Sequence, residues 1–145
     1  MQSPGLDASF SDGRSVLPLA SRPFGAVGLA GGGAFPNPGR ARVLWAGLGT
    51  DDHGGTELER LATGARAAAT KAGAAAEGGR FKAHLTLARL GRPAEVSDWV
   101  RLLDGYDGPA WTVEEFTLVA SYLGEGPRKR PRHEVVTVFP LGDRR

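Results

Sequence analysis

The sequence predicts an α+β fold, a mainly antiparallel sheet with helices packed on it. Three observations carry that expectation. Val43–Leu48, VLWAGL, is a short continuous apolar run of the kind that forms a buried strand. Thr56–Gly73, TELERLATGARAAATKAG, sets Leu58, Leu61, Ala65, Ala68 and Ala72 on one helical stripe. Two further β-rich segments, WTVEEFTLVASYL and EVVTVFPL, close the chain and give the order β-β-α-β-α-β-β.

The elements follow in turn. Residues 1–22 show no sustained period and are broken every few positions by Ser, Gly, Pro or Asp, so they are expected to be a loose lead-in. One domain is expected over 23–142. A weak first strand is predicted at Phe24–Ala30, then the turn-rich PNPGRAR, then the Val43–Leu48 strand. In the long helix, Thr56 and Glu59 have capping-box spacing and Gly73 is a suitable stop. Its alanine-rich stripe predicts close packing on a sheet. Arg80–Leu90, RFKAHLTLARL, is the next strand. A shorter helix follows in PAEVSDWVRLLDGY, with Pro93 near its start and Val96, Trp99, Val100 and Leu103 on one face.

Composition narrows the function classes. The 145 residues suit one compact domain, and 41% hydrophobic with 23% charged residues is ordinary for a soluble protein. There is no cysteine, which excludes disulfides, thiolate nucleophiles and zinc–thiolate sites. No run approaches the roughly 18 apolar residues of a membrane span. The N-terminal residues lack the charged-then-apolar order of a signal peptide, so a cytoplasmic location is the default expectation. The net charge of +2 permits an anionic partner without requiring one. The basic run Pro127–His133, PRKRPRH, is on its own a solvated loop.

The chemistry is concentrated in Arg80–Leu90. Strand side chains alternate, so Phe81, Ala83, Leu85 and Leu87 share one face and Lys82, His84, Thr86 and Ala88 the other. The first face suits packing under the alanine-rich helix, and the second suits a cleft. An imidazole of ordinary pKa, about 6.5, exchanges protons at neutral pH. A threonine hydroxyl can donate to a phosphoryl oxygen, and a nearby cation can offset its charge. Arg89 has the opposite parity to His84 and needs a bulge or bend to join them. His53, beside a helix start, and His133, in the basic loop, are on their own surface histidines. The glycines at 31–33 lack the Gly-Lys-Ser/Thr tail of a phosphate-binding loop.

RFKAHLTLARL resembles the second HxTx motif of the 2H phosphoesterase superfamily, in particular the RNA 2′,3′-cyclic phosphodiesterases, also called 2′-5′ RNA ligases. LAGGGAFPNPGRARVLWAGL is similar to their Gly-x-Gly-x-Phe loop and following strand, and LVASYLGEGPRKRPRHEVVTVFPLG to their closing strand, loop and end. The likeness covers roughly Pro23 to Gly142. It implies a LigT-like two-lobed fold, here with part of the first lobe missing. A first HxTx motif ahead of the glycine–phenylalanine loop is absent. Ala83 stands where proline is common, and His133 where tyrosine is usual. The resemblance makes His84 the general base and Thr86 its oxyanion partner. Phe81, Lys82, Arg89 and His133 become substrate contacts, the last because the end-loop of the family lies near the cleft. It further implies opening of 2′,3′-cyclic phosphates on RNA ends without metal or cofactor. The competing expectation is an impaired family remnant that binds RNA ends or nucleotides. A small α+β interaction domain stands well behind both.

Overall fold

The computed structural model describes residues 23–142 other than 77; the predicted lead-in over residues 1–22 lies outside them. Six strands and two helices follow in the order β1 (Phe24–Phe35), β2 (Ala41–Gly49), α1 (Asp52–Lys71), β3 (His84–Ala94), α2 (Ser97–Asp104), β4 (Trp111–Val113), β5 (Glu115–Tyr122) and β6 (Arg132–Pro140). One sheet has the order β3-β2-β1-β4 and a second consists of β5 and β6. Every strand pair is antiparallel. The expected WTVEEFTLVASYL strand is therefore two strands in different sheets, divided at Glu114. The Glu114 carbonyl accepts from the Leu141 amide at 2.7 Å.

The first strand runs through the glycines to Phe35 rather than stopping at Ala30. Gly33 and Gly32 are there because of what faces them. A Cβ on Gly33 would stand 2.3 Å from the Trp45 ring, and one on Gly32 would stand 2.5 Å from Leu103. The glycine run is a seat for side chains and not an anion cradle.

Helix α1 begins a turn earlier than the Thr56–Glu59 spacing predicts. Asp51 is its N-cap, accepting from the Gly54 amide, and the Thr56 hydroxyl donates to the Asp52 carbonyl instead of capping. The two early glycines argue against helix on propensity, but Gly54 is buried and a Cβ there would meet the Gly25 carbonyl at 3.1 Å. The predicted stop is in place. Gly73 takes φ +84°, its amide bonds to Thr70 O, and the Ala74 amide reaches back to Ala69 O, which is a Schellman ending.

Two apolar clusters hold these elements together. Phe24, Val27, Leu61 and Leu141 form one, joined by Leu58 and Phe116. Ala34, Ala41 and Val96 form the other, joined by Leu44, Leu90 and Val100. Helix α1 thus packs on β1 and does not cover the apolar face of β3 as its stripe suggests; Leu85 and Leu87 stay 49% and 48% exposed. Helix α2 starts at Ser97, whose amide donates to Glu95 Oε1 at 2.8 Å. Hydrogen bonds from Ser97, side chain first and backbone second, hold the Glu95 carboxyl below its ordinary value. Among the described residues, no helix is long and apolar enough to cross a membrane.

Candidate active site

The face that carries His84 is fixed by cross-strand register. Residues paired directly across an antiparallel ladder point the same way. Gly47 pairs with His84, Trp45 with Thr86, and on the other side Gly33 with Trp45 and Phe35 with Val43. Phe35, Trp45, His84 and Thr86 therefore share one face. Ala34, Leu44 and Ala46 point to the reverse face, where α2 packs.

Arg89 joins the His84 face. Trp45 pairs with Thr86 but Leu44 pairs with Ala88, so Leu87 is an extra residue on β3, and Val43 then pairs with Arg89. A bulge of this kind exchanges the two faces for everything beyond it. The parity that separates Arg89 from His84 in a regular strand is cancelled by Leu87. No sequence pattern marks the bulge, because it is a property of how β3 meets β2.

The imidazole is held on three sides. Its Nδ1–H donates to the Lys82 carbonyl at 2.6 Å. The Phe35 ring meets it edge-on at 5.0 Å between centroids, and the Trp45 ring lies tilted at 5.9 Å. Phe35 and Trp45 also pack on each other at 5.2 Å. The Nδ1–H bond has a chemical consequence. It fixes the neutral tautomer, so the free lone pair is on Nε2, which can take a proton and later return it. The Lys82 ammonium sits over the Trp45 ring, 5.3 Å from its centroid.

Beside this group is an open cleft of about 750 Å³. Gly31, Gly32 and Trp45 line it, and α1 contributes Leu58 and Glu59. Arg80, Phe81, Lys82 and Ala83, the lead-in to β3, complete it with Asp104. Phe81 is 42% exposed at this edge. The structure thus gathers Lys82, His84, Thr86 and Arg89 on one surface with Phe81 at the cleft. It does not bring His133 into that group: His133 is on β6, with its Nδ1 hydrogen-bonded to Ser121 Oγ at 2.9 Å. His53 is exposed in the first turn of α1. Among the described residues no three His, Cys, Asp or Glu side chains are grouped as metal ligands.

Trp45 was legible only as an apolar strand residue and Phe35 only as the end of the glycine–phenylalanine loop. The signal that places them against His84 is the short turn between them. The β1–β2 hairpin must pair Gly33–Phe35 with Val43–Trp45 on either side of a 3-10 turn at Pro38–Arg40.

This arrangement has relatives. A family model described as LigT like phosphoesterase matches residues 48–128, more than half of the chain. The chain belongs to the LigT-like phosphoesterase family. It is 39% identical over 114 residues to an RNA 2′,3′-cyclic phosphodiesterase of Archaeoglobus fulgidus, a match covering 78% of this chain and 60% of that protein. A protein of the same description from Aeropyrum pernix is 38% identical over 77 residues, covering 53% of this chain and 42% of the relative. Among solved structures, TT0787 of Thermus thermophilus superposes with a TM-score of 0.61 at 31% identity, covering 88% of this chain and 65% of that one. E. coli LigT complexed with 3′-AMP shares the fold, with a TM-score of 0.59 at 24% identity, covering 86% of this chain and 63% of that one. This LigT-like chain spans less than two thirds of the length of each.

Proposed function

We propose that this LigT-like chain carries the His84 half of an RNA 2′,3′-cyclic phosphodiesterase site. The observation that carries the reading is the His84 imidazole, tied through Nδ1 to the Lys82 carbonyl, on one face with Thr86 and Arg89. His84 Nε2 takes a proton from water as its oxygen attacks phosphorus. The bond from phosphorus to O3′ breaks, O3′ is protonated by a second acid, and a 2′-phosphate remains. The Thr86 hydroxyl donates to a non-bridging oxygen, while Arg89 and Lys82 offset charge that grows on the pentacoordinate phosphorus. Phe81 offers a ring to the terminal base at the cleft. A 5′-hydroxyl in place of water would give 2′-5′ ligation by the same steps. None of these steps calls on a metal ion.

A second reading has its own observation. Among the described residues, His84 alone is followed by a threonine two positions on; Gly55 and Val135 follow His53 and His133. A chain with one such histidine would bind RNA ends through the same groups and turn them over slowly.

Hydrolysis of a 2′,3′-cyclic-phosphate dinucleotide, followed by ³¹P NMR with and without EDTA, separates the readings. Turnover that persists in EDTA and falls about 10²–10⁴-fold in His84→Ala supports the enzyme. Retained binding of the dinucleotide with no turnover supports the second reading. Equal turnover by the wild type and His84→Ala removes His84 from the chemistry.

A further inference from the structure

A second concentration of charge lies in the other sheet, at the turn between β5 and β6. Three consecutive cations occupy it, Arg128, Lys129 and Arg130, all exposed. Among the described residues, no carboxylate pairs with any of them. The nearby acids are already engaged. Arg132 Nη1 donates to Glu134 Oε2 at 3.0 Å and Nη2 to Glu125 Oε2 at 3.1 Å. Its guanidinium also stacks on the Tyr122 ring, 4.2 Å from the centroid. One arginine is neutralised and braced, and the three at the tip keep their charge.

The tip is folded. The Gly126 amide donates to the Arg130 carbonyl at 2.8 Å, and a Cβ on Gly126 would come within 2.6 Å of that oxygen. Arg128 and Lys129 both adopt left-handed backbone, φ +55° and +59°. Two such residues in succession, neither of them glycine, cost about 1–2 kcal/mol each. Strain of this sort persists where it shapes a function. It is not there to support the core. The base of the ribbon reaches the core through Phe116 and Leu141. The eight residues of β5 put the tip about 26 Å away from that base. Clustered like charge on a remote tip repels itself and adds nothing to packing. Its effect is on a partner that carries repeated negative charge.

We propose that the β5–β6 tip grips the phosphodiester backbone of single-stranded RNA, holding the body of the strand and not its cyclic end. The choice of RNA over other polyanions rests on the proposed function; the backbone grip itself does not. Arg128, Lys129 and Arg130 act as phosphate neutralisers without base preference.

The test is fluorescence anisotropy of a labelled oligouridylate ending in a plain 3′-hydroxyl, titrated over a range of salt. Neutralising single-strand phosphates contributes about −0.7 each to the slope of log K against log salt, so three contacts contribute about −2. The combined variant Arg128→Ala, Lys129→Ala, Arg130→Ala is expected to lose that part of the slope and at least tenfold in affinity at low salt. The charge-preserving Arg128→Lys, Arg130→Lys variant is expected to keep the slope, which separates charge from folding. Hydrolysis of a cyclic mononucleotide is expected to be the same in all three proteins. An unchanged slope in the alanine variant overturns the grip. So does loss of binding to phosphatidylserine vesicles with RNA binding intact, which would assign the tip to a membrane surface. A protein that shows the slope yet never opens a cyclic phosphate loses the proposed function and keeps this one; the converse result does the opposite.

Discussion

The four-stranded sheet and the β5–β6 ribbon are both antiparallel, the first built largely from Gly, Ala and Leu and the second richer in Val and Thr, and they solve opposite problems. In the sheet, one face is packed under α2 through Ala34, Leu44, Val96 and Val100, and the other presents His84, Thr86 and Arg89. In the ribbon, Leu118 and Val119 are neighbours on β5 and point to opposite faces, and they are 37% and 45% exposed. Val135, Val136 and Val138 on β6 are exposed as well. Apolar residues on both faces are the pattern of a strand covered on both sides, and a lone two-stranded ribbon is marginal in water. Among the described residues only its base is anchored, by Phe116 and Leu141, with the Phe116 and Phe139 rings stacked at 4.8 Å. Packing is thus concentrated in the sheet and at the ribbon base, while the rest of the ribbon is held by its own ladder.

Three substitutions would break or sharpen that contrast. Phe24 is 2% exposed at the junction of α1, β1 and the ribbon base, so Phe24→Ala should cost about 3–5 kcal/mol by urea denaturation. Val135→Ala on the ribbon should stay within about 0.5 kcal/mol. Similar losses at the two positions would mean that the ribbon is as well packed as the sheet. Gly33→Val comes next. It drives a side chain into the Trp45 ring and should cost about 1–3 kcal/mol, with a change in tryptophan fluorescence and a lower affinity for cyclic nucleotide, since Trp45 seats His84. Unchanged emission and affinity would separate the glycine seat from the site.

The smallest effect concerns Glu95. Its folded pKa is lowered by Ser97, so its contribution is present above the unfolded carboxylate pKa and fades as pH falls through the folded value. Glu95→Gln should therefore be slightly less stable than wild type near neutrality, and the two denaturation midpoints should converge in acid. A gap that widens in acid would give the interaction the opposite sign.

The parts that could be read from the sequence are those set by local periodicity. The stripe of α1, the apolar run of β2 and the shared face of His84 and Thr86 depend on spacing within one segment and are in place; the strand itself begins at His84 and not Arg80, and beyond Thr86 the expected alternation fails, because Ala88 pairs with Leu44 on the reverse face. What escaped depends on contacts between segments. Gly54 enters the helix because it is buried against the Gly25 carbonyl, which no propensity anticipates. The division of WTVEEFTLVASYL at Glu114 follows from a hydrogen bond with Leu141, residues away along the chain. For the site, His84 and Thr86 fell on one face by parity alone. Arg89 required the register of β3 on β2, and the aromatic pair required the β1–β2 turn.

The extra residue at Leu87 ties two duties together. Beyond it, Arg89 looks out with Thr86 while Leu90 looks inward to Val96 and Val100. Removing Leu87 would restore a regular ladder and leave the faces as they are, since Thr86, Ala88 and Arg89 would then meet Trp45, Leu44 and Val43 in plain alternation. Flattening the bulge at unchanged length would instead exchange the pair, turning the guanidinium toward the α2 core and the leucine toward the phosphate face. The bulge and the length of β3 are therefore matched, and either can change only together with the other.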